Sequence, residues 1–198
     1  MVVKSYAASV FIDGRKISDP NVAGKFCSSL SWARRELRRY WLQAESIYRN
    51  EVAYRHRGLV GIAPTLKFGI LTETKDTKTG SAETDFSVTY TYTAEDFVSE
   101  TRGTFIAFAA EDFGYKVAAA AARVVDEQLA GMSWYSRYEI WDCLASYDIY
   151  NVSTADHLID GAKELAVALA DGHTADVDGK IPVAAAFHRA VRKDSDQS

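Results

Sequence analysis

The stretch of residues 28–58 constrains the fold more than any other part of this sequence. At 100° per residue, nine of its side chains fall in one apolar stripe, the spacing of a helix that buries one face. The stripe contains Leu30, Ala33, Leu37, Tyr40, Trp41, Ala44, Ile47, Tyr48 and Val52. Ser28, Ser29 or Ser31 can cap the N-terminus, and Gly58 can end the helix. The pattern predicts one long amphipathic helix over residues 28–58.

The opposite face of this predicted helix is basic. It carries Arg34, Arg35, Arg38, Arg39, Arg49 and His56. Arginines four residues apart repel each other, at a cost of about 0.2–0.5 kcal/mol per pair. Residues 34–57 contain seven Arg against three Glu, so this segment carries +4 and the rest of a chain of net charge −4 carries −8. We therefore expect Arg34, Arg35, Arg38 and Arg39 each to have an acidic neighbour, inside this protein or on a partner.

Two aromatic residues, Trp32 and Tyr54, lie off the apolar stripe and beside the arginines. Exposed aromatic side chains next to Arg are common anchors of protein interfaces. The predicted partner-binding residues are Arg34, Arg35, Arg38, Arg39, Arg49, Trp32 and Tyr54. A pI of about 5.6 opposes extensive wrapping by nucleic acid, so a protein or nucleoprotein partner is favoured over direct nucleic-acid binding.

Two other parts of the chain predict an antiparallel sheet. Residues 1–17 combine apolar bulk with Asp13-Gly14, a hairpin signal. Residues 66–70 and 85–92 alternate apolar and polar side chains, as half-buried strands do. The polar residues 73–83 between them predict a mobile loop at the tip of a long hairpin over residues 65–92.

The rest of the chain is mainly helical by pattern. Thr93 with Asp96 predicts the cap of a short helix that ends at Gly103. Residues 104–110 fit a strand or a helix, and a helix is predicted from about Glu111. Further helices begin after Ser133, after Ser153 or Thr154, and at Pro182. The predicted fold is a single α+β domain, with sheet and long helix in 1–92, helices in 93–193 and a frayed tail at 194–198.

No complete catalytic or metal-binding motif is present. Residues 174–185 follow part of a calcium-loop pattern, but Ala185 stands where a bidentate Glu must close the coordination shell. Asp156, His157 and Asp160 form at most half of a metal or acid/base site. Cys27 lies near a predicted helix N-terminus, but a free Cys usually behaves as a small hydrophobe. We therefore predict no catalytic residue, no metal and no cofactor.

These features favour a non-enzymatic interaction protein of the inhibitor or accessory type. The alternatives are a structural or assembly subunit of a homo-oligomer, and a small enzyme that uses Cys27 or the Asp156 group. No apolar run is long enough to span a membrane, and no targeting segment stands out, so we expect a cytoplasmic protein. Two cysteines far apart in sequence predict reduced thiols.

Overall fold

A computed structural model describes residues 2–17, 24–53, 63–146 and 154–170. These ranges contain a four-stranded antiparallel sheet and α-helices, which confirms the predicted α+β class with a helical C-terminal half. The chain divides into two compact units, Met1–Phe97 and Val98–Ser198. That the whole chain forms a single domain stays a prediction.

The first unit is built around the sheet. Its strands are β1 (Val2–Ile12), β2 (Arg15–Lys16), β3 (Leu66–Asp76) and β4 (Ala82–Tyr92), in the order β2-β1-β3-β4. β1 pairs with β3 along its whole length, from Val2 opposite Asp76 to Ile12 opposite Leu66. Between β1 and β2, Asp13 and Gly14 both have positive φ, as the turn of a two-residue hairpin requires. The predicted N-terminal hairpin is present.

The mobile loop predicted over residues 73–83 is wrong. β3 continues to Asp76 and β4 begins at Ala82, so the connection is a short turn. The Asp76 carboxylate accepts from the Lys78 backbone N–H at 2.8 Å, and the Gly80 N–H donates to the Asp76 carbonyl. Because β1 also pairs with β3 out to Asp76, a ladder on both sides of β3 holds a polar segment extended.

The prediction of one continuous helix over residues 28–58 is also wrong. The chain forms α1 (Leu30–Trp41), then α2 (Ala44–Tyr48) and a π-helical turn (Arg49–Ala53). At the break, the Gln43 N–H donates to the Tyr40 carbonyl three residues earlier, a tightened final turn that ends α1. The predicted end at Gly58 lies outside the described residues.

The predicted apolar stripe, by contrast, is the buried side of both helices. Its fully buried members are Ala33, Leu37, Tyr40, Ala44, Ile47 and Tyr48. The Trp41 ring stacks on Tyr90 at 4.9 Å and meets Phe68 edge-on at 5.4 Å, so that α1 is fixed to β3 and β4. The Tyr48 hydroxyl donates to the Pro64 carbonyl at 3.0 Å. The N-terminus of α1 is capped by Ser29, whose Oγ accepts from the Trp32 N–H.

The described part of the second unit consists mainly of helices. α3 (Ala94–Phe113) begins in the first unit and is followed by α4 (Tyr115–Gln128), α5 (Trp134–Ser146) and α6 (Ala155–Ala170). In the Thr93 cap, the Thr93 N–H donates to the Asp96 carboxylate at 2.8 Å and the Asp96 N–H donates back to Thr93 Oγ1 at 3.2 Å. α6 packs against α4 and α5.

Two predictions about helix ends in this part are wrong. Gly103 does not end α3, because buried Phe105, Ile106 and Ala109 outweigh the roughly 1 kcal/mol that a helical glycine costs. Residues 104–110, open in the sequence, are therefore helical. The next helix begins at Tyr115 rather than near Glu111, after Gly114 at φ +78°.

Two predicted caps are present. Ser133 accepts from the Ser136 N–H at 3.1 Å, and Thr154 accepts from the His157 N–H at 3.3 Å. The predicted helix at Pro182, the calcium-like loop and the tail 194–198 lie outside the described residues.

Candidate binding surface on α1

The solvent side of α1 carries four exposed arginines, Arg34, Arg35, Arg38 and Arg39. Arg35, Arg38 and Arg39 lie opposite the buried side that holds Ala33, Leu37 and Tyr40. Arg34 lies at the edge of this basic cluster, nearer to the buried side. Trp32, on the same exposed side, shows 38% of its surface to solvent, and Leu42 at the end of the helix shows 77%. We refer to Trp32, Arg34, Arg35, Arg38, Arg39 and Leu42 together as the α1 surface.

One of the four arginines is neutralised on its own helix. Arg39 Nη2 lies 2.7 Å from the Glu36 carboxylate, at i,i+3, and the guanidinium lies 5.5 Å from the centre of the Tyr40 ring. Burial raises the pKa of the Tyr40 hydroxyl, while a hydrogen bond with Arg39 lowers it. Arg39 is therefore held in place by neighbours in sequence.

The other three arginines have no such partner among the residues that the structure describes. Across the ranges that the structure describes, Arg34, Arg35 and Arg38 make no ion pair and no hydrogen bond through their side chains. Arg34 and Arg38 are four residues apart on one face, as are Arg35 and Arg39, so the repulsion expected from the sequence is present in the folded helix.

The acidic residues of the same segment are already engaged. Glu36 pairs with Arg39, and Glu45 accepts from Arg49 Nε and Nη2 at 3.1 and 2.8 Å. Glu51, with a side chain only 6% exposed, lies 3.7 Å from Arg15 of β2. All three glutamates of residues 34–57 thus have an arginine partner, and none of these partners is Arg34, Arg35 or Arg38.

The remaining predicted partner-binding residues divide into two groups. Arg49 is paired with Glu45 and its guanidinium lies 5.3 Å from the Phe97 ring centre, so it is engaged within the first unit. Tyr54, like His56, lies outside the described residues. Leu42 was missed because it stands in the predicted interior of one long helix; its sequence signal is that it lies off the apolar stripe, ten residues after Trp32.

The residues tested for chemistry show no assembled site. Cys27 Sγ lies 3.4 Å from the Tyr6 carbonyl oxygen and 3.3 Å from the Ser29 carbonyl oxygen, so that its single S–H can donate to either backbone group. Asp156 and Asp160 are exposed in the first turns of α6, with His157 half-buried between them. Among the described residues, no group of three His, Cys, Asp or Glu side chains could hold a metal ion.

No protein-family model, no curated protein and no solved structure matches the chain. Among the helices described above, none combines the length and the apolar character needed to cross a lipid bilayer.

Proposed function

We propose that this protein is a non-enzymatic interaction protein that binds an acidic surface of a protein or nucleoprotein partner through the α1 surface. Its role is that of an inhibitor or accessory factor. One observation carries the proposal: Arg34, Arg35 and Arg38 are exposed and unpaired among the described residues, although every glutamate of the same segment has an arginine partner.

The repulsion between these arginines supports a role for them other than stabilising the folded protein. Each i,i+4 pair of arginines costs the helix about 0.2–0.5 kcal/mol, and no acidic residue in the described ranges relieves Arg34 or Arg38. An acidic partner removes this repulsion, because each arginine then faces a carboxylate or phosphate. Trp32 and Leu42 are exposed near the two ends of the same helix and add apolar contact area to the surface. An aromatic side chain such as Trp32 is a common anchor of protein interfaces.

A second candidate function, assembly of a homo-oligomer, is favoured by a different observation. β4 is an edge strand of 11 residues, and no described segment pairs with its outer edge. Most of its side chains are exposed, including Val88 at 46%. An unprotected edge strand is a template for another strand. Light scattering at high concentration tests this candidate, because a monomer contradicts it.

The proposed function is tested by affinity capture with matched variants. The tagged protein, its Arg35→Glu/Arg38→Glu variant and a Lys4→Glu/Lys67→Glu control are used to capture partners from the native cell. Both variants change the net charge equally, and Lys4 and Lys67 are exposed on the sheet. A protein retained by the wild type and the control, and lost with the arginine variant, supports the proposal. Equal retention by all three contradicts it.

A further inference from the structure

Four residues of the α1 surface lie in a single row along the helix. Trp32, Arg35, Arg39 and Leu42 are separated by three, four and three positions, and at 100° per residue they fall within about 80° of the circumference. Leu42 keeps a helical conformation, since its φ is −66° and its N–H donates to the Arg38 carbonyl. The centre of this row is about 150° from the centre of the buried side, so the row faces solvent.

The row has apolar ends and a cationic centre. Leu42 is 77% exposed and Trp32 38%, and a rise of 1.5 Å per residue puts them about 15 Å apart. Arg35 and Arg39 lie between them, with Arg38 on one flank and Glu36 on the other. A 3-4-3 spacing is the one by which a helix forms a seam with another helix.

We propose that the occupant of this row is an amphipathic α-helix of the partner, with acidic side chains at its centre and apolar side chains at both ends. This inference rests on the proposed function and names the chemistry of the partner. A carboxylate opposite Arg35 gives that guanidinium an ion-pair partner, and a second carboxylate adds to the existing pair of Arg39 with Glu36. The flanking apolar residues of the partner helix cover Trp32 and Leu42.

The spacing and the apolar ends distinguish this occupant from two others. Successive residues of the row rise by about 4.5, 6 and 4.5 Å along the axis, whereas side chains on one face of a strand recur every 6.8 Å or so. A strand therefore loses register over the length of the row. A phosphate backbone pairs with the arginines, but it offers nothing to Leu42, the most exposed large apolar residue described.

The test uses the full chain and two labelled peptides of about 18 residues, long enough to form helix in part. One carries Leu, Glu, Glu and Leu at 3-4-3 spacing, and the other has the same composition with these four residues permuted off a common face. Fluorescence anisotropy measures both affinities. We expect the patterned peptide to bind at least tenfold more tightly, and Leu42→Ser to remove that advantage while leaving the melting temperature unchanged, since Leu42 is mostly exposed.

Two results overturn the inference. One is equal affinity for the two peptides, including failure to bind either. The other is tight binding of a DNA duplex of about 20 bp that Leu42→Ser leaves unchanged. If either occurs while Arg35→Glu/Arg38→Glu still abolishes capture of the native partner, the helical occupant is wrong and the binding surface stands. If capture survives that arginine variant, the proposed function itself fails.

Discussion

Replacing Arg35 and Arg38 by glutamate separates binding from folding. In the wild type, Arg34 with Arg38 and Arg35 with Arg39 are two repulsive i,i+4 pairs. In the double variant both pairs join opposite charges, while positions 35 and 38 stay alike in sign. Neither replaced residue has an ion-pair partner among the described residues. We therefore expect the variant to keep its stability, or gain some, and to lose its partner.

The magnitude follows from four pair energies and one opposing term. Two repulsions of about 0.2–0.5 kcal/mol disappear and two attractions of similar size replace them, a total gain of roughly 0.8–2 kcal/mol at low salt. Position 38 lies in the last turn of α1, where the helix dipole favours a cation, so Glu there removes about 0.3–1 kcal/mol of that gain. Screening of exposed charges at physiological ionic strength lowers this to about 1 kcal/mol or less. For a chain of this length, 1 kcal/mol corresponds to about 2–4 °C in melting temperature.

Thermal melting at low and at physiological salt measures this gain. The rise in melting temperature should be largest at low salt and should shrink as salt is added. The control Lys4→Glu/Lys67→Glu reports the effect of net charge alone. A fall in the melting temperature of the arginine variant, relative to both wild type and control, would show that Arg35 and Arg38 serve internal acidic groups, and the argument for a binding surface would then fail.

Other predictions concern the fold. Gly69→Ala should destabilise the protein by about 1–3 kcal/mol or more, because a Cβ there overlaps the Ser87 carbonyl oxygen. Gly103→Ala should stabilise α3 by about 0.5–1 kcal/mol, because a Cβ there meets nothing within 4 Å. Chemical denaturation measures both changes in unfolding free energy, and equal effects would refute the packing argument. Burial raises the pKa of Tyr48 well above its usual 10, so its contribution to stability is complete below pH 10 and is lost as pH rises toward the folded-state pKa. Above pH 10 the melting temperature of Tyr48→Phe should therefore fall less steeply with pH than that of the wild type, and an equal decrease in both proteins would contradict this.

The sequence predicted the fold where one local signal dominates. Ala33, Leu37 and Tyr40 follow the helical period, and the structure buries all three. The prediction failed where contacts with residues distant in sequence determine the local structure. The extension of β3 to Asp76 depends on pairing with β1, more than sixty residues away in sequence, and the Trp41 side chain packs on rings from β3 and β4 that lie as far from it in sequence as Tyr90. Neither fact can be predicted from the local sequence composition.

The candidate site was predictable to a similar degree. The exposure of the arginines follows from the same helical period that buries Leu37. Their pairing follows only in part. The pairs of Arg39 with Glu36 and of Arg49 with Glu45 are helix neighbours visible in the sequence, whereas Glu51 is taken by Arg15, which precedes it by more than thirty residues. Leu42 was missed for a local reason, since the break after Trp41 is not visible in the hydrophobic period.

The position of β1 inside the sheet has a consequence for synthesis of the chain. β1 lies between β2 and β3, so the first strand to leave the ribosome is an interior strand of the finished sheet. Its main partner begins at Leu66, and at about 5–20 residues per second the wait for that partner lasts roughly 3–11 s. During that interval β2 is, among the described residues, the one strand paired with the end of β1 that holds Val10 and Ile12, both buried in the native state, and α1 is the described helix of the first unit that packs on β1 and precedes β3 in the chain. The apolar side of β1 therefore depends on β2 and α1 for cover until β3 has been synthesised.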